Sequence, residues 1–139
     1  MTLPARLITT YLATAIAFAA VDFVWLTQFG PKVYFPTLDP VALPSARLGP
    51  AVVFYVVYIA GIVALAIWPN RSAGLLATTR TGALLGAMCY ATYDLTNQAT
   101  LRVWATHITL IDIAWGTFLT GVAASAGGWV WRRTNPAGL

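Results

Sequence analysis

The chain has 139 residues, enough for one domain. Apolar residues make up 59% and charged residues only 9%, with a mean hydropathy of +0.74, where an ordinary soluble domain carries about 25% charged residues. This excludes a conventional water-soluble fold and points to lipid as the main solvent. The net charge of +4 comes from basic residues scattered near helix ends, so it reads as membrane orientation and not as a nucleic-acid footprint. The single cysteine, Cys89, excludes an intramolecular disulfide. Its apolar surroundings suggest a small core residue.

The first apolar run covers residues 7–29 and is interrupted by Asp22. It is long enough to cross a bilayer core, which takes about 20 residues. A signal peptide is the rival reading, since Arg6 precedes the run and Ala19-Ala20 could precede a cleavage point. The run continues past that point to Trp25 and Leu26, which favours a membrane span. Five prolines, Pro31, Pro36, Pro40, Pro44 and Pro50, then mark 30–50 as a stiff connection rather than a long helix. The second span is expected over 51–68, stopped by Pro69-Asn70-Arg71. The third is expected over 81–100 and the fourth over 108–131. The expected fold is all-α: one integral membrane domain over 1–139, a bundle of four transmembrane helices with a Pro-rich loop between helices 1 and 2.

An even number of spans puts both termini on one side. That side carries Arg6, Arg71, Arg80, Arg132 and Arg133, against Lys32, Arg47 and Arg102 on the other. The positive-inside rule therefore puts both termini in the cytoplasm. Trp68, Trp129 and Trp131 would form an aromatic belt on that side, with Trp104, Tyr34 and Phe35 on the far side. Gly82/Gly86, Ala123/Gly127 and Ala124/Gly128 are small-residue pairs that let helices approach closely, within the chain or in a dimer.

The chain has no Glu and four Asp, of which Asp22, Asp94 and Asp112 fall inside expected spans. Counted from the helix ends, each lies roughly 8–10 Å below the non-cytoplasmic boundary, at 1.5 Å per residue. An intramembrane charge costs about 2.5–3.5 kcal/mol on insertion scales, so these acids should face inward, and such residues usually mark ion, proton or substrate paths. Brought together, three carboxyls would share protons or bind a cation rather than all ionise. Trp25 follows Asp22 at i+3, and Trp115 follows Asp112 at the same spacing. The phrases D-F-V-W and D-I-A-W hint at internal repetition. Tyr90, Tyr93 and Asn97 lie near Asp94 on their helix, and Tyr55 and Tyr58 sit at a similar level on the second. The bland alternative is helix glue, with Asp bonded across helices to Tyr, Trp and Asn. Arg102 and His107, near the third and fourth helix ends, read as headgroup contacts, and a lone His makes a poor metal ligand set. No metalloprotease, P-loop, hydrolase-elbow or zinc pattern is present in the sequence.

The run Tyr90-Ala-Thr-Tyr-Asp-Leu-Thr-Asn97, followed by Ala99-Thr-Leu101, Trp104 and Asp112-Ile-Ala-Trp-Gly116, resembles a family of short bacterial membrane proteins known only as a domain of unknown function with four expected spans. The D-x-x-W of the first helix and the Phe54-Tyr55 region fit the same pattern. The resemblance implies a bacterial inner-membrane protein and brings no activity with it. Three functions remain open. One is an aromatic-walled acidic pocket for a cation or small polar ligand, used in proton-linked transport and completed by a homodimer. Another is a membrane-embedded enzyme acting on lipid by Asp acid/base chemistry. The third is an accessory subunit of a larger membrane complex. The sequence leaves any cofactor or metal open, and the expected partner in every case is the lipid bilayer, with no nucleic acid.

Overall fold

The computed structural model describes residues 1–134; the end of the domain expected over 1–139 lies outside the described residues. Helix α1 covers Leu3–Val24, with a proline in its first turn, where the missing N–H would be unpaired anyway. It does not stop at the expected loop. A wide π-type turn over Trp25–Phe29 leads into α2, Gly30–Leu38, and a 3₁₀ turn over Asp39–Val41. The Pro-rich loop expected between the first two spans is therefore helical over its first half. The physical reason is placement. Pro31 and Pro40 open their helical segments, where proline is tolerated, and only Pro36 lies inside a helix. The connection without helix is confined to 42–47.

Helix α3 covers Leu48–Ile62 and closes with a second wide turn over Val63–Ile67. Helix α4 covers Leu75–Thr100 and α5 covers Thr106–Arg133. Gly74, at φ 96°, supplies the left-handed residue that lets α4 begin at Leu75, before the start expected near Thr81. Arg132 and Arg133 lie in the last turn of α5, where they complement the helix dipole. Three helical stretches are long and apolar enough to cross a membrane: Leu3–Val41, Leu48–Ile67 and Thr106–Arg133. Helix α4 is a fourth long helix, made more polar by Thr78, Thr79, Arg80, Thr81, Asp94, Asn97 and Gln98.

Helix α5 is the centre of the packing. It lies most extensively against α4 and next against α1. Arg6 at the start of α1 meets Trp131 at the end of α5, and Trp25 meets Trp115, so these two helices are antiparallel. Close approach of α4 depends on missing side chains. A Cβ at Gly86 would collide with the Gly116 carbonyl and the Thr120 side chain, and one at Gly82 with Ala124. Gly127 faces Thr14 and Ile67. The small-residue pairs are thus used within the chain, where lipid gives no hydrophobic drive for association. Phe18, Ile62, Leu119 and Trp131 fill the core between them. Trp131, expected in an aromatic belt, is buried. It is covered by the Arg6 guanidinium 3.8 Å above its ring.

Helix α3 meets α4 chiefly through the wide turn at its C-terminal end. The two helices part toward the far side, away from the termini. The opening between them leads into a cleft.

Candidate functional site

The cleft encloses about 520 Å³. Asp22, Trp25 and Leu26 reach it from α1 and the turn that follows, and Tyr34 from α2. Phe54, Tyr55 and Tyr58 come from α3, Cys89, Tyr90 and Tyr93 from α4, and Asp112 and Trp115 from α5. Eight of the twelve lining residues are aromatic and two are carboxylates, and no Lys, Arg or His is among them. An aromatic wall of this kind offers both apolar area and π faces.

The two D-x-x-W motifs face each other across the antiparallel α1/α5 contact. Trp25 and Trp115 stack with centroids 4.4 Å apart and planes 10° from parallel. Each tryptophan is directed to the other motif's acid. Trp25 Nε1 donates to the Tyr34 hydroxyl at 3.1 Å, and that hydroxyl donates to Asp112 Oδ1. Trp115 Nε1 points toward Asp22 without reaching good alignment with any acceptor. Tyr55 donates its hydroxyl proton to Asp22 Oδ2. The spacing repeat in the sequence is thus a local twofold arrangement in space.

Asp22 and Asp112 are 8% and 6% exposed and line the cleft; Asp94 is 0% exposed and lies behind it. The Asp94 carboxyl lies close to that of Asp112, and neither of its oxygens has a hydrogen-bond partner. An unpaired buried polar group is expensive and calls for an explanation. Behind the wall, Tyr58 and Thr120 share a hydrogen bond of 2.9 Å. Gly116 is needed where it stands, because a Cβ there would run into the Tyr90 ring.

Of the residues singled out from sequence, Asp22, Trp25, Tyr90, Tyr93, Asp112 and Trp115 line one cleft and Asp94 backs it. Asn97 is half-buried one turn beyond Tyr93 and is not a lining residue. Arg102 and His107 are exposed around the α4–α5 link, away from the lining. Six lining residues lie outside the set that the sequence singles out: Leu26, Tyr34, Phe54, Tyr55, Tyr58 and Cys89. Tyr34 reads from the sequence as a far-side belt residue, because it lies in the connection after the first span. Tyr55 was placed only by level. Cys89, expected in the core, is exposed on the cleft wall. The stretch around Cys89, residues 84–89, is apolar all round, so composition there gives no signal of which face is covered. Among the described residues no group of three or more His, Cys, Asp or Glu is arranged to hold a metal ion.

No curated protein and no solved structure matches the chain. Residues 7–129 match the family described as a predicted membrane protein, DUF2177, whose function is unknown, and the chain belongs to that family.

Proposed function

We propose that the chain is a four-span protein of the bacterial inner membrane, with both termini cytoplasmic and the cleft in the periplasmic half, where it binds a cation or small polar ligand. The observation that carries this reading is the cleft itself: carboxylates from two helices open on one aromatic cavity that no basic side chain neutralises. Two further points support it. Helix α4 has 26 residues, about 39 Å at 1.5 Å per residue, which exceeds a bilayer core of about 30 Å. The basic residues favour the terminal side by five to three.

Proton-linked transport is the use that fits best. Two neighbouring buried carboxyls do not both ionise readily, so Asp94 and Asp112 form a place where a proton could be held and released as ligand arrives. A homodimer would complete the pathway. Acid/base chemistry on lipid would use the same pair, but Arg102 and His107, the candidate headgroup contacts, lie outside the cleft lining.

Thermal melting of the purified protein with and without a panel of mono- and divalent and organic cations tests the reading, with Asp22→Asn and Asp112→Asn alongside. A ligand-dependent rise in Tm that both variants lose is expected. Unchanged melting with every cation, and variants that merely melt lower, would leave the acids as helix glue and sink the proposal.

A further inference from the structure

The chemistry of the cleft wall narrows the ligand class. Inorganic divalent cations need several oxygen ligands, six to eight for calcium. Here the two lining carboxylates each already accept a tyrosine O–H, and among the described residues no three or more His, Cys, Asp or Glu are arranged to hold a metal ion. The remaining surface is mostly ring: Trp25, Trp115, Tyr58, Tyr90, Tyr93 and Phe54. Rings with negative faces beside fixed carboxylates suit a cation that carries its own apolar shell and keeps no water ligands. Such a cation needs charge compensation nearby but no short coordination bonds.

The size and the mouth agree. The cavity of about 520 Å³ lies within the range of about 300–1,000 Å³ typical of small-molecule sites. Leu26, Phe54 and Tyr93 at the cleft are large apolar residues exposed on the helix surface. In a membrane that surface meets acyl chains, so the approach favours a molecule that partitions into lipid. The absence of basic side chains from the lining excludes anions on charge grounds.

We infer that the cleft takes an amphiphilic organic ammonium ion, held with its charge near Asp22 and Asp112 and its apolar groups against the Trp25–Trp115 and tyrosine wall. This inference rests on the reading of the cleft as a ligand site and names the ligand's chemistry. Asp94 has a place in it. Its unpaired carboxyl behind Asp112 can exchange a proton with that group on the closed side of the cleft, leaving Asp112 ionised when the ammonium is bound.

Cys89 is the only cysteine in the chain and stands on the cleft wall, so it reports occupancy directly. The full chain in lipid nanodiscs is treated with a membrane-permeant maleimide, and the alkylation rate of Cys89 is followed together with tryptophan fluorescence. The probes are benzyltrimethylammonium, its neutral isostere neopentylbenzene, sodium, calcium and glucose. The expected result is that only the ammonium slows alkylation and quenches fluorescence. Its apparent Kd should weaken about tenfold in Trp115→Leu, from the loss of a cation–π partner in a desolvated site. Asp112→Asn, which keeps the side-chain shape, should weaken it further. If neopentylbenzene protects equally, the cleft reads apolar bulk and not charge, and the inference falls. If calcium, sodium or glucose acts in an Asp112-dependent way while the ammonium does not, the ligand class is wrong but the ligand site stands. If no probe changes either signal, both this inference and the ligand-site reading fail.

Discussion

The two ends of the helix packing set aromatic side chains in opposite electrostatic surroundings. At the end that carries the termini, arginines close the structure. Arg6 lies 3.8 Å above the Trp131 ring and donates to the Trp131 carbonyl at 3.1 Å, and Arg71 lies 4.4 Å from the Trp68 ring. Arg132 donates to Gly128 O at 2.9 Å and to Asn70 O and Thr78 Oγ1 at 3.2 Å each. Cation–π contacts and carbonyl hydrogen bonds there tie α1, the α3–α4 turn, α4 and α5 together. At the far end the tryptophans and tyrosines gather around carboxylates, with no basic residue in the lining. The closed end answers its guanidinium groups with ring faces and neutral oxygen acceptors. The open end leaves two carboxylates facing neutral tyrosine donors.

Both ends share the α4/α5 contact, so the largest effect should come from breaking it. Gly86→Val places a side chain into the Gly116 carbonyl and Thr120. We expect a loss of about 3 kcal/mol, the upper end for overpacking, measured by denaturant titration in micelles. A loss well under 1 kcal/mol would show that α4 can move away from α5 freely. Arg132→Met attacks the closed end alone. Removing a charged donor from three acceptors should cost about 2 kcal/mol, read as lower Tm without any change in ligand affinity at the cleft. Weakened ligand binding in that variant would show the two ends to be coupled, contrary to this division.

Smaller changes sharpen the open end. Trp25→Phe keeps a ring for the stack on Trp115 but removes the donor to Tyr34. The expected loss is about 1 kcal/mol, and a change in tyrosine fluorescence or ultraviolet difference spectrum should accompany it. An unchanged tyrosine signal would place Tyr34 elsewhere. Asp22→Asn should move stability least, by less than about 1 kcal/mol, because the amide carbonyl still accepts from Tyr55. Thermal melting without ligand checks this. A loss of several kcal/mol would identify Asp22 as a structural anchor and not as a group kept for a ligand.

Much of this was legible in the sequence, for a physical reason. An aspartate inside an apolar run stands out because lipid exposure would be so costly. Asp22, Asp94 and Asp112 therefore pointed to a place, and the shared i+3 tryptophans pointed to its walls. The helical segments were readable from long apolar stretches. What was not readable depended on direction. Cys89 sits in an apolar run where hydropathy does not separate a buried face from an open one. The role of Tyr34 was hidden by its prolines, because a count of helix breakers ignores that proline is harmless in a first turn. The wide turns over Trp25–Phe29 and Val63–Ile67 leave no mark in composition, although they aim the helix ends.

The stacked Trp25–Trp115 pair has one more consequence. Two indoles 4.4 Å apart and 10° from parallel share their electronic excitation rather than absorbing as independent chromophores. Their exciton-coupled far-ultraviolet dichroism is therefore an unlabelled optical signal that α1 has packed on α5. It makes insertion and assembly of these two helices in a bilayer observable in real time.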